Sequence, residues 1–398
     1  MLIAEDHPWP PRGGTALRNA ANAAALAAVG PLTIVGVSDP AGEHSPSPLG
    51  ETRAIGLGHP PVIDPTDAWA SRRGGHPSEG RWGEDAGRRW QRVLAESKPD
   101  VVVVEQLWLH RFAASAAANG AATMLDAHNV EADVYAAIAA STSVDPAATS
   151  RECRLAAVMA ERTATLEAAA VAGADQVWAC SPSDQARFRA SGADARLVPN
   201  AVDTETVSTR PSRPRDSHLV FAASFAYPPN MRAARLLVDV ILPRVAEQMP
   251  ATRLSLVGRD PPAWLRARGR EDGMIEVTGA VPSVQPWLDS ATAVIVPLHE
   301  GGGTRFKVLE AMVRGVPVIS TPKGVEGLAV RPGEHILVGA DAAALAELAV
   351  LAHREDLTAL TRAARRLVEE RYSWRVAAMA VGTAVADALS RRRVERHG

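Results

Sequence analysis

A chain of 398 residues is long enough for two domains. Its formal net charge of -2 removes the electrostatic case for nucleic acid or an anionic membrane as partner, and two cysteines, Cys153 and Cys180, exclude a disulfide scaffold. No apolar run reaches the ~18 residues of a membrane span and no targeting signal opens the sequence, so a cytoplasmic, reducing compartment fits, with a peripheral place at a membrane left open.

Apolar β-type runs alternate with Ala/Leu-rich helical stretches, the pattern of an α/β chain with parallel sheets. In the first half, strands are expected at 32–37, 100–105, 122–128 and 175–180, with one more near 51–57. Their apolarity is continuous, as a sheet covered on both faces requires. Helices are expected at 15–28, 84–96, 110–118 and 150–172, and irregular connections over 38–82. Residues 204–217 are polar, carry two prolines and lack periodicity, and read as an interdomain connection. A second series follows, with strands at 218–224, 253–258, 275–279, 292–298 and 316–321. Its helices are expected near 230–247, 262–268, 283–289, 304–314, 341–353 and 356–371. A last helix, 373–393, has a basic end and is expected to cross back to the first domain. Two doubly wound domains facing each other across a cleft follow, divided at 1–203, 204–372 and 373–398. In such sheets ligands bind beyond the carboxyl ends of the strands.

The stretch HEGGGTRFKVLEAMVRGVPVIST (299–321) holds the densest chemistry. Strand 292–298 runs into three glycines, and the next helix begins near Thr304. Glycines let backbone N–H groups approach an anion, and a helix N-terminus adds a partial positive charge. Arg305 and Lys307 bring two full charges to that end. Lys307 is one of only three lysines among 43 basic residues. Glu310 shares a helix face with Lys307 and can accept from ribose hydroxyls. The same residues also suit a plain tight turn with a surface Lys–Glu pair. No two aspartates occur at i, i+2, so no D-x-D metal motif is present.

GGGTRFKVLEAMVRGVPVISTPKGVEGL resembles the donor-site signature of the retaining glycosyltransferases of family four, in the branch that reads G-x-G-T-R-x-K-x-L-E. Further segments follow that family in order: PWPPRGGTALRN (8–19), LDAHNVEADVY (125–135), ACSPSDQARF (179–188), LVPNAVD (197–203), FAASFAYPPN (221–230), LSLVGRDPP (254–262) and VTGAVPSVQPWLDSATAVIVPL (277–298). The resemblance implies the GT-B fold and transfer of a sugar from a nucleoside diphosphate sugar to an acceptor hydroxyl, with retention and without metal or other cofactor. It implies donor contacts from Gly13, Gly14, Gly302, Gly303, Thr304, Arg305, Lys307, Glu310 and Asn230, and catalytic roles for His128, Arg305 and Lys307. His128 matches the sugar-contacting histidine of the family, and Glu105 and Gln106 end a neighbouring strand where an acceptor would lie. Asn230 also suits a helix cap, His128 a local partner in Asn129 or Glu131, and Trp9 and Trp108 ordinary packing.

Two departures stand out. The family often carries E-x7-E, but counting back from Glu310 lands on Gly302, and Glu300 is too distant to be its equivalent. FAASFAYPPN also lacks the Arg and Lys that relatives place there for the diphosphate, a charge that Arg305 and Lys307 can supply. Alternatives are a nucleotide-sugar 2-epimerase of the same architecture and a GT-B partner subunit that binds without turnover. The acceptor stays open among a glycan precursor, a lipid-linked sugar and a secondary metabolite.

Overall fold

The computed structural model describes residues 1–9, 11, 13–39, 42–43, 49, 52–58, 84–144, 148–210, 216–302 and 305–397. They form two compact units, one of Met1–Pro199 with Ala377–Gly398 and one of Asn200–Val376. Most of the region expected to be irregular, 38–82, lies outside the described residues, as do Gly303 and Thr304.

The first unit is built on an eight-stranded sheet of order β3-β4-β2-β1-β5-β6-β7-β8. Its strands are β1 (Leu2–Ala4), β2 (Thr33–Gly36), β3 (Gly42–Glu43), β4 (Arg53–Gly56), β5 (Val101–Glu105), β6 (Ala122–Ala127), β7 (Gln176–Ala179) and β8 (Ala195–Leu197). All neighbours are parallel except β3, which runs antiparallel to β4. Both faces of the sheet are covered. Val102 and Val104 pack with Trp90 and Phe112 on one side, while Val101 and Val103 pack with Leu26 and with Val381 and Val385 of the last helix on the other. Burial on both faces is what the unbroken valine run of β5 anticipates.

The second unit has a six-stranded parallel sheet of order β11-β10-β9-β12-β13-β14. These strands are β9 (His218–Ala222), β10 (Arg253–Val257), β11 (Ile275–Gly279), β12 (Ala293–Val296), β13 (Val318–Ser320) and β14 (Leu337–Val338). The chain steps outward from β9 to β11, then reverses to β12, which pairs β9 on its other side. The first unit reverses in the same way between β1 and β5. Each reversal splays the following loops apart and opens a crevice at the carboxyl ends of the strands.

Three expectations change. The short strands β3, β8 and β14 were not expected, because two or three residues leave no periodicity to read. Helices Glu131–Val144 and Pro182–Ala190 were not expected either; in the first only Val134 is buried, so no apolar stripe marks it. The helix expected at 230–247 is Pro228–Leu236 joined to Leu242–Gln248 by a π-turn over Leu237–Ile241. Pro243 lacks an N–H and would clash with the carbonyl of Asp239 in a regular helix, and the wider turn accommodates it. The described part of 204–217 lies in the second unit. There Arg365 donates to the carbonyls of Thr204 and Val207 at 3.2 and 3.0 Å.

Candidate functional site

The functional side chains gather at the two sheet reversals, one in each unit. In the second unit, β12 ends at Val296 and the chain passes through Gly301 and Gly302 into the helix Phe306–Val313. Gly301 has φ 96, and a Cβ there would stand 2.9 Å from the Tyr227 hydroxyl, so the loop after β12 closes tightly on the loop after β9. Only glycine satisfies both demands. Arg305 is buried and folds back to donate to the carbonyls of Gly302 and, at 2.9 Å, of Gly301. It staples the loop. Arg305 occupies the N-cap position without a side-chain cap, and no acid stands in the first turn. The helix Ala342–Arg354, by contrast, is capped by Asp341. An uncapped, acid-free N-terminus beside a glycine loop leaves amides and a partial positive charge for an anion.

Lys307 does not pair with Glu310 on an exposed surface. It is partly buried, donates to Asn230 Oδ1 at 3.0 Å and lies 4.3 Å from the centre of the Phe221 ring. Burial pushes its ammonium down to about 7; neighbouring Arg305 adds to the fall and Glu310 opposes it. Burial likewise pushes the Glu310 carboxyl up to about 7, against the pull of Lys307. Asn230 is not a helix cap, since Tyr227 holds that position. Its amide donates to Ser224 O at 2.9 Å, so it links the loop after β9 to the lysine.

Sequence reasoning missed Arg232. It ion-pairs with Glu300, and both Arg232 Nη2 and Glu300 Oε2 are buried with no hydrogen-bond partner among the described residues. Polar atoms left in that state are costly unless a ligand or water completes them. The signal was present: Arg232 stands two residues beyond the FAASFAYPPN segment, close to where the resembled family places its cations.

In the first unit, Gly13 takes φ 96 and starts the helix Gly14–Ala27 without a side-chain cap or an acid in its first turn. A second bare helix N-terminus therefore follows β1. The register of β5 on β6 sets Glu105 beside Asp126, and His128 follows two residues later. These groups form one buried network. His128 Nε2 lies 3.0 Å from Glu105 Oε2 and 3.2 Å from Asp126 Oδ2. Arg18 grips Asp126 with two donors, one at 2.7 Å, and donates to Val198 O. Asn22 donates to both carboxylates at 3.0 and 2.9 Å.

Burial opposes the Asp126 carboxylate, but Arg18 and His128 outweigh it and hold the group well below the usual carboxylate range. Burial and the charge of Asp126 push Glu105 up to about 7, with His128 opposing. Burial disfavours charge on His128, yet its hydrogen bonds with Asp126 and Glu105 prevail and raise its pKa. With Nε2 committed to the carboxylates, Nδ1 has no hydrogen-bond partner among the described residues and becomes a donor when the ring is protonated.

Glu105 is thus a buried partner of His128 rather than an acceptor-facing edge residue. Gln106 has φ 72 and is half-buried, and its backbone N–H bonds Asp126 O. Trp9 packs on the first unit's core, and Trp108 meets Tyr135 edge-on, which is the packing role. Glu105, Asp126 and His128 offer three ligand atoms within 4.8 Å of one another. All four carboxylate oxygens already accept hydrogen bonds, and Arg18 adds a permanent cation, so the set suits a proton-holding network better than a cation cage. Arg18, Asn22 and Asp126 do not stand out in the sequence, because only the strand register and the helix after Gly13 bring them together.

The molecule as a whole resembles solved structures along nearly its full length. Sucrose-phosphate synthase from Thermosynechococcus elongatus aligns with TM-score 0.73 at 18% identity, covering 98% of both chains. Anabaena HepE in complex with UDP and glucose gives 0.64 at 14% identity over 98% of both chains. An OtsA apo structure gives 0.64 at 12% identity, covering 97% of this chain and 98% of that one. The fold is GT-B. Residues 216–370, most of the second GT-B unit, match the family model described as glycosyl transferases group 1. No curated protein matches the sequence. Among the described residues of this GT-B chain, no helix is long and apolar enough to cross a membrane.

Proposed function

We propose that this protein is a glycosyltransferase that takes a sugar from a nucleoside diphosphate donor and passes it to an acceptor hydroxyl, with retention of configuration and without a metal ion. The observation that carries the reading is Lys307, a cation held at the β9/β12 reversal in a setting that lowers its pKa. Cations shifted in this way gather at ligand sites, where an anion completes them. The glycine loop, the bare helix N-terminus and the match of 216–370 to glycosyl transferases group 1 support the same assignment. So does the UDP and glucose bound by the structurally similar HepE.

In this reading the diphosphate lies against the amides at the start of the helix Phe306–Val313 and the Lys307 ammonium, and Glu310 accepts from the ribose hydroxyls. His128 donates through Nδ1 to a hydroxyl of the transferred sugar, held in orientation by Asp126 and Glu105. The leaving phosphate helps take the acceptor proton on the same face of the sugar. The protein's own part is positioning and stabilising charge as it grows on the diphosphate, with cations and backbone dipoles standing where other enzymes use an ion.

The test is a panel of nucleoside diphosphate sugars with hydroxyl acceptors, run in excess chelator. Sugar transfer under those conditions is the expected result. Activity that vanishes in chelator and returns with a divalent ion refutes the metal-free assignment. An epimer formed from the donor alone points instead to an epimerase.

A further inference from the structure

The second unit carries a concavity of about 490 Å³ at the ends of its strands opposite the glycine loop. Pro317 and Gly315, just before β13, and Arg210, ahead of β9, form part of its wall. Five arginines line it: Arg210, Arg314, Arg362, Arg365 and Arg366. Three have structural duties. Arg365 donates to carbonyl oxygens of the surrounding loops and at 2.7 Å to Glu369, Arg314 holds Asp289 at 2.9 Å, and Arg210 donates to Ala291 O.

Arg314 and Arg365 are ion-paired with Asp289 and Glu369, so the charge open to a ligand is that of Arg362 and Arg366. Among the described residues, lining carboxylates come only from Asp356 and Glu369. Packing does not account for Arg362 and Arg366. They stand one turn apart on the exposed face of the helix Thr358–Arg371 and make no hydrogen bond or ion pair among the described residues. Thr358 and Thr361, on the same helix, add hydroxyls to the wall. Two planar forks one turn apart, with hydroxyls beside them, suit phosphate oxygens, and the volume is that of a small-molecule site.

We infer that this pocket binds a small phosphorylated metabolite carrying at least two negative charges, at a site separate from the glycine loop. Its wall includes Arg314 and Gly315, which end the helix whose first turns bear Lys307 and Glu310. An eight-residue helix of ~12 Å therefore connects the two anion sites. The inference does not depend on the donor reading.

The experiment uses the full-length protein and inorganic pyrophosphate, read by hydrogen–deuterium exchange and calorimetric titration. Wild-type protein is expected to show slowed exchange in peptides covering 358–371, separately from any change over 299–313. The double variant Arg362→Ala/Arg366→Ala is expected to lose protection at 358–371 and to bind there at least tenfold more weakly. Arg366→Glu, a single reversal on an exposed face, is expected to weaken the same site without lowering the melting temperature. Protection confined to 299–313, or an unchanged dissociation constant at 358–371 in the double variant, overturns the inference.

Discussion

Replacing Lys307 with methionine tests whether this ammonium is held against its own solvation. The lysine's pKa falls from 10.5 to about 7 in the folded chain. The unfolded chain therefore binds more protons between those values, and folding stability rises with pH across that window. One pH unit within the window changes stability by ~1.4 kcal/mol, so the interval from 7 to 9 gives at most about 3 kcal/mol. Screening at a partly exposed side chain reduces this to about 1–3 kcal/mol. Protein with Lys307 intact should gain that much relative to Lys307→Met between pH 7 and 9 in urea denaturation. Lys307→Arg, which stays charged throughout, should track the methionine variant in slope. Lys307 opposes the rise of the Glu310 pKa to about 7, so removing the lysine moves that carboxyl further into the window, and the comparison is made in a Glu310→Gln background. Parallel pH profiles with Lys307 intact and with Lys307→Met would refute the reasoning and make the lysine an ordinary solvated side chain.

Glu310→Gln should weaken nucleoside diphosphate binding by about 1–3 kcal/mol in calorimetric titration, as expected for hydrogen bonds to a charged group; unchanged affinity would return it to a helix-surface role. His128→Ala should leave affinity for free nucleoside diphosphate nearly intact while lowering turnover, since the contact proposed for its Nδ1 is with the sugar, and a variant with normal turnover would make the histidine structural. Arg18→Leu should cost about 3–5 kcal/mol of stability by leaving the Asp126 carboxylate buried without its guanidinium, measured by chemical denaturation. Adding Asp126→Asn to that variant should recover part of the loss.

The fold was largely legible because both sheets are buried on two faces, which writes each major strand as a continuous apolar run such as Val101–Val104. Edge strands of two or three residues, and Glu131–Val144 with no apolar stripe, carry no such mark. The same contrast holds at the site. Gly301, Lys307 and Glu310 sit within one stretch of chain, where spacing alone suggests chemistry. The partner of Lys307 is Asn230, 77 residues away, and the partner of Asp126 is Arg18, 108 residues away. Contacts of that kind are set by strand order and register, which no local window contains. The lysine's preference for Asn230 over Glu310 follows from the β9/β12 pairing, which brings the two loops together.

The last helix, Trp374–His397, carries residues that the first unit's sheet requires. Val381, Ala384, Val385 and Ala388 cover the face formed by Leu2, Ile34 and Val103, and Asp387 holds Arg196 at 2.7 Å. On a ribosome, strand β8 emerges roughly 190 residues before that cover. At about 5–20 residues per second the gap lasts about 10–40 s. Throughout that time this face of the early sheet is covered only by the helix Gly14–Ala27, while the inserted second unit is made within the gap and has all its strands and helices before the last helix is complete. The chain is thus organised so that the later-made unit can finish folding first, and the earlier-made one waits for the final two dozen residues. A stop codon near 374 would accordingly damage the half of the molecule farthest from it in sequence.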